Sequence, residues 1–178
     1  MIKLLSIFSY YVLPLLLVIL SVFFPNKDLF VAFWNISLYL LIFIVFIKPI
    51  WVVFDIMFIK KFLYLRKQLW VMTFYFALFH SIWFMVVRNL FDINSYVWVD
   101  SFLFWWLVGF IGMFILAITS NNFSVRLLKR NWKRLHYLTY PVLFAVLLHV
   151  ALFKNEFTLF FIILMLFLVL KIFEYKKL

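Results

Sequence analysis

The sequence predicts an all-α protein: a six-helix transmembrane bundle with both termini cytoplasmic. Three observations carry that expectation. Hydrophobic residues make up 70% of the chain, and its mean hydropathy is +1.18, whereas a soluble domain is about half apolar. The apolar residues gather in six runs, each near the length of about 20 residues that a helix needs to cross hydrocarbon. Basic residues crowd into alternate connections, as the positive-inside rule requires.

The six runs are 4–24, 29–47, 69–90, 101–119, 135–153 and 157–173. They show no strand alternation, and a lipid-exposed backbone must satisfy its own hydrogen bonds, so helices are expected. The first run resembles a secretory leader. It is too long for one and no small-residue cleavage site follows, so it reads as a retained span. Pro25, Asn26, Lys27 and Asp28 form a turn into the second run. Segment 48–68 is apolar and aromatic with sparse charge, and is expected to lie as an interfacial helix between spans two and three. The connection from span three to span four carries Asp92 and Asp100; the last turn is Lys154, Asn155 and Glu156. The whole chain, 1–178, reads as one transmembrane domain.

Charge sets the expected orientation. With the N-terminus inside, the inner face collects Lys3, Lys48, Lys60, Lys61, Arg66, Lys67, Arg126, Lys129, Arg130, Lys133, Arg134, Lys171, Lys176 and Lys177. The outer face keeps only Lys27, Arg88 and Lys154, together with four of the six acids. A net charge of +11 is therefore a topology signal, and no nucleic-acid motif accompanies it. Cysteine is absent, which excludes disulfides, thiolate chemistry, iron–sulfur clusters and the C-x-x-C-H attachment of c-type haem. No paired carboxylates fall within the predicted spans, so ion-coupled transport has little support.

The candidate chemistry lies in three histidines, which are costly in lipid and common metal ligands. At about 1.5 Å per residue, His80 sits roughly 16 Å into span three. His149 lies about 20 Å above His136 on span five. His80 and His149 thus reach a common level and can form an axial pair on an iron porphyrin if their helices are neighbours. His136 marks an inner level, where it can ligate a second haem or bond to a loop, a quinone, a flavin or a haem propionate. Thirteen residues leave His136 and His149 about 140° apart on a straight helix; Pro141 between them is a site for a kink or local unwinding. Arg66, Lys67, Lys133 and Arg134 are topology charges in the plain reading. Arg66 and Arg134 are also candidates to pair with haem propionates or a flavin phosphate. Gly109 and Gly112 can admit a close helix or a porphyrin edge. Met72, Met85 and Met113 are core residues or, less simply, ligands.

Three stretches carry a family resemblance: WKRLHYLTY with LLH at residues 132–149, LAITS at 116–120, and YLRKQLW with YFALFH at 64–80. Over about residues 64–153 the chain resembles the ferric-reductase-like transmembrane superfamily. Within it, the similarity is to MsrQ-type (YedZ-like) haem-binding membrane subunits of periplasmic methionine sulfoxide reductase systems. The resemblance implies a six-helix b-type cytochrome of the bacterial inner membrane, with haem b (one or two) held by His80, His136 and His149. It implies an electron-transfer subunit rather than a catalytic one. Electrons would come from a cytosolic flavin reductase or the quinol pool, with FMN or a quinone as further inner cofactors. They would pass to a periplasmic molybdenum-containing methionine sulfoxide reductase that repairs oxidised periplasmic proteins. Two features depart from the pattern. NSYVWVD at 94–100 stands where such proteins often carry an R-P-Y-like segment. Arg66 or Lys67 stands where the wider superfamily has a second histidine on span three. Two other readings of the residues remain: a stand-alone ferric or quinone oxidoreductase of the same superfamily, and a non-redox membrane transporter or scaffold.

Overall fold

The computed structural model of the chain describes residues 2–24, 26–88 and 101–177. The expected acidic connection with Asp92 and Asp100, the NSYVWVD stretch and Pro25 lie outside these residues. The described elements are all helical. In chain order they are α1 (Ile2–Ile7), a π turn (Phe8–Val12), α2 (Leu13–Phe23), α3 (Lys27–Phe54), α4 (Met57–Leu63), α5 (Arg66–Arg88), α6 (Ser101–Ile118), α7 (Asn122–Leu128), α8 (Arg130–Leu135), a 3₁₀ turn (His136–Leu138), α9 (Thr139–Lys154) and α10 (Thr158–Lys177). Six helical stretches are long and apolar enough to cross a membrane, so the chain is a multi-pass membrane protein.

Local chemistry explains the breaks. Pro14 has no N–H and crowds the carbonyl four residues back. The chain answers with the wider π turn just before it, in which Leu13 N–H reaches Phe8 O. Asn26 caps α3 by accepting from Asp28 N–H at 3.1 Å, and Asp28 lies in the first turn, where the helix dipole favours an acid. Asp55 (φ 50°) and Asn155 (φ 52°) close α3 and α9 in the left-handed region, which Asp and Asn tolerate better than most residues. Pro141 sits in the first turn of α9, and the 3₁₀ turn lies directly before it. The expected local unwinding is therefore present. Three residues of 3₁₀ geometry advance about 60° more than α-helix does, narrowing the angle between His136 and His149 to about 80°.

Two expected boundaries move. Span two continues past Lys48, through Pro49, to Phe54. The separate segment before span three is thus shorter than residues 48–68, and reduces to α4 and its turns. The last helix runs on to Lys177 rather than ending near residue 173. Its charged end is accommodated by an ion cluster: Glu174 is 3% exposed and bonds to Lys48 at 2.7 Å and Lys171 at 2.8 Å. Such neutralisation is what permits a carboxylate at membrane depth.

Four helices make the core. α3 packs along α5, α5 on α6, α6 on α9, and α9 on α3, with α6 against α9 the most intimate pair. Gly109 and Gly112 account for that closeness. A Cβ on Gly109 would lie 2.8 Å from Val146 Cγ2, and one on Gly112 would meet Val142 Cγ2. They serve helix packing, where small residues let backbones approach. Leu41, Ile44, Ile47, Trp70, Leu116 and Leu147 fill the centre. α2 leans on α5, and α10 on α3 and α9; most of their apolar side chains, such as Leu15, Phe161, Met165 and Leu166, face outward toward lipid.

Candidate functional site

His80 lies on α5 and His149 on α9. These helices stand diagonally across the core; α3 and α6 pack between them rather than the two packing side by side. The expectation of neighbouring helices is corrected to one of opposed helices, and the diagonal leaves room between them. Both histidines line two adjoining, narrow, partly open clefts. The clefts share Trp34, His80, Trp106 and His149. One continues toward Phe84, Phe102 and Phe153, the other toward Ser37, Ala77, Ser81, Met113 and Val146.

Each ring is aimed by a backbone carbonyl from a helix beside its own. His80 Nδ1 is 3.3 Å from Phe30 O, in the first turn of α3. His149 Nδ1 is 2.8 Å from Phe102 O, in the first turn of α6. A carbonyl oxygen only accepts, so Nδ1 is the nitrogen that carries the proton in both rings. That fixes the neutral tautomer with the Nε2 lone pair unprotonated, the arrangement that a metal-binding imidazole takes from its outer hydrogen-bond partner. Aromatic contacts hold the rings further. Trp34 stacks on His80 with centroids 6.0 Å apart, Phe153 stacks on His149 at 6.4 Å, and Trp34 meets Phe153 edge-on at 6.3 Å. Trp106 Nε1–H donates to Ser81 Oγ at 3.0 Å, and Ser81 Oγ–H donates to Ala77 O at 2.7 Å. The serine hydroxyl is satisfied and the indole is fixed as a wall.

Among the described residues no group of three or more His, Cys, Asp or Glu gathers to cage an ion. Two opposed imidazoles in an apolar cleft instead match an iron whose remaining ligands arrive with it, as in a porphyrin. Met113 lines the inward cleft but is a buried core residue.

The other end of the bundle holds His136. Its ring lies 4.0 Å, centroid to centroid, from Trp132, whose indole N–H donates to Thr119 O at 2.8 Å. A cavity of about 650 Å³, open to solvent, is lined by Arg66, His136, Trp70, Ser120, Trp132, Tyr137 and Tyr140, with Lys48, Lys67 and Lys133 among the cations. Arg66 Nε, Trp70 Nε1 and His136 Nε2 are buried there without a hydrogen-bond partner among the described residues. The structure thus brings Arg66 and His136 together. Arg134 is exposed and does not line this cavity; Lys133 does. The LAITS stretch ends α6 and ties this region together: Tyr10 O–H donates to Ser120 O, beside the Thr119 contact. Sequence reasoning missed Trp34, Trp106, Trp70 and Lys48 as lining residues. Tryptophans in an aromatic-rich chain give no separate signal, and Lys48 read as a topology charge.

The fold and site define a class: a membrane helical bundle with an opposed histidine pair near one end and a basic cavity at the other. No family model matches the chain, and no solved structure matches it. Curated relatives do. The chain is 34% identical over 92 residues to the protein-methionine-sulfoxide reductase heme-binding subunit MsrQ of Brucella anthropi, covering 49% of this chain and 41% of that protein. It is 33% identical over 99 residues to the MsrQ of Xanthomonas campestris pv. campestris, covering 47% and 40%. It is 32% identical over 97 residues to that of Agrobacterium fabrum, covering 53% and 45%. The chain thus spans less than half the length of these relatives. Over about half of its own length the chain is similar to these MsrQ subunits.

Proposed function

We propose that the chain is a b-type cytochrome membrane subunit that carries electrons across the bacterial inner membrane. The observation that carries this reading is the pair of tautomer-fixed imidazoles, His80 and His149, opposed across one apolar space. Haem b bound there would supply an iron that takes up and gives back one electron. The chain's part is to present both Nε2 atoms, to exclude water with Trp34, Phe102, Trp106 and Phe153, and to keep the surroundings of low dielectric.

The charge asymmetry supports an orientation with both termini and the basic cavity inside. Electrons then enter at the cavity around His136, Arg66, Trp70 and Tyr140, from a cytosolic flavin reductase or quinol. The unpartnered N–H groups of Arg66 and Trp70 and the His136 ring nitrogen suit a polar, anionic or planar cofactor: FMN, a quinone or a second haem b, with Arg66 the better placed of the two arginines to meet its acidic groups. Electrons leave at the outer face for a periplasmic molybdenum-dependent methionine sulfoxide reductase. The similarity to MsrQ heme-binding subunits supports that system.

Reconstitution in vesicles tests the route. With a reductant trapped inside and an impermeant acceptor outside, the haem-loaded protein should reduce the acceptor. His80→Ala and His149→Ala vesicles should not. Equal transfer by wild-type and variant vesicles would rule out this path.

A further inference from the structure

Lys154 is one of the few cations that lie away from the basic inner face. It is the last residue of α9, at the end of the bundle that holds the histidine pair. Its Nζ lies 5.1 Å from the centre of the Trp34 ring. Trp34 in turn stacks on His80 and touches Phe153, which stacks on His149. The two histidines therefore share one aromatic platform, and that platform carries a positive charge over the Trp34 ring. Two features hold the charge there. The indole face attracts a cation, and the C-terminal end of α9 favours one. Among the described residues the carboxylate ion pairs are confined to Glu174 with Lys48 and Lys171, so no described ion pair cancels Lys154.

We propose that Lys154, seated on Trp34, is a positioning charge that raises the reduction potential of the iron held by His80 and His149. This rests on the reading that the pair binds haem. Reduction adds one electron to the site, and a fixed cation nearby stabilises the reduced state more than the oxidised one. Lys154 is exposed, so its charge acts across the ring as a partly screened field that weakens as salt rises. A lysine that merely extends to the membrane surface over a convenient aromatic would leave the potential untouched.

Spectroelectrochemical titration of the purified haem-loaded protein separates the two. At the wild-type midpoint, Lys154→Gln should lower the ratio of reduced to oxidised haem about threefold. Lys154→Glu should lower it further, Lys154→Arg should restore the wild-type value, and the differences should shrink as salt rises. Trp34→Leu, which keeps the cation but removes its seat, should shift the midpoint in the same direction as Lys154→Gln. Haem-loaded Lys154→Gln and Lys154→Glu titrating at the wild-type midpoint would overturn the proposal while leaving the haem site standing. A wild-type protein that takes up no haem would overturn the haem reading and this proposal with it.

Discussion

His80→Ala and His149→Ala should each abolish stable haem binding. Loss of an outer hydrogen-bond partner typically weakens a metal site about 10–100-fold, and loss of the ligand itself should exceed that. The structure adds a graded control. The rings are aimed by Phe30 O and Phe102 O, which no side-chain substitution removes. Trp34, however, stacks on His80, so Trp34→Ala should weaken haem retention less than either histidine variant while leaving both ligands. Haem titration of detergent-solubilised protein, followed by absorbance, checks the order. Equal retention in all three variants would mean that the iron is held elsewhere.

The ion cluster at the end of α10 gives the second large effect. Glu174 is nearly inaccessible, whereas the Lys48 side chain is 45% exposed and that of Lys171 is 28% exposed. Removing the lysines and removing the acid are therefore unequal acts. Lys48→Met with Lys171→Met strands a buried carboxylate and should cost about 3–5 kcal/mol. Glu174→Leu alone leaves two lysines that can reach water or lipid phosphate, and should cost about 1 kcal/mol. Adding Glu174→Leu to the double lysine variant should restore most of the lost stability, since an apolar replacement of a whole buried cluster is often neutral. Thermal unfolding in detergent at fixed lipid content reads all three. A double lysine variant as stable as wild type would show that Glu174 is not held as a buried charge.

What the sequence made legible follows from which forces act locally. Six spans follow from run length and composition alone. The unwinding near Pro141 was visible because proline acts on its own backbone. The level shared by His80 and His149 followed from helical rise. The diagonal placement of their helices did not, because it depends on how α3 and α6 pack between them. For the same reason the carbonyls of Phe30 and Phe102 were invisible: nothing in a phenylalanine announces that its backbone oxygen will meet a histidine from another helix. Span two was drawn too short because Lys48 and Pro49 look like a helix end. Lys48 instead reaches Glu174, a partner 126 positions away. Gly109 and Gly112 carried two readings, and only the position of Val142 and Val146 decided for packing.

The central claim is that His80 and His149 clamp one iron between them. Electron paramagnetic resonance of the ferric, haem-loaded protein tests it most directly. A low-spin signal of iron with two imidazole ligands, lost in both His80→Ala and His149→Ala, is the predicted result. A high-spin, five-coordinate signal in the wild-type protein, or a low-spin signal that survives both substitutions, would contradict it.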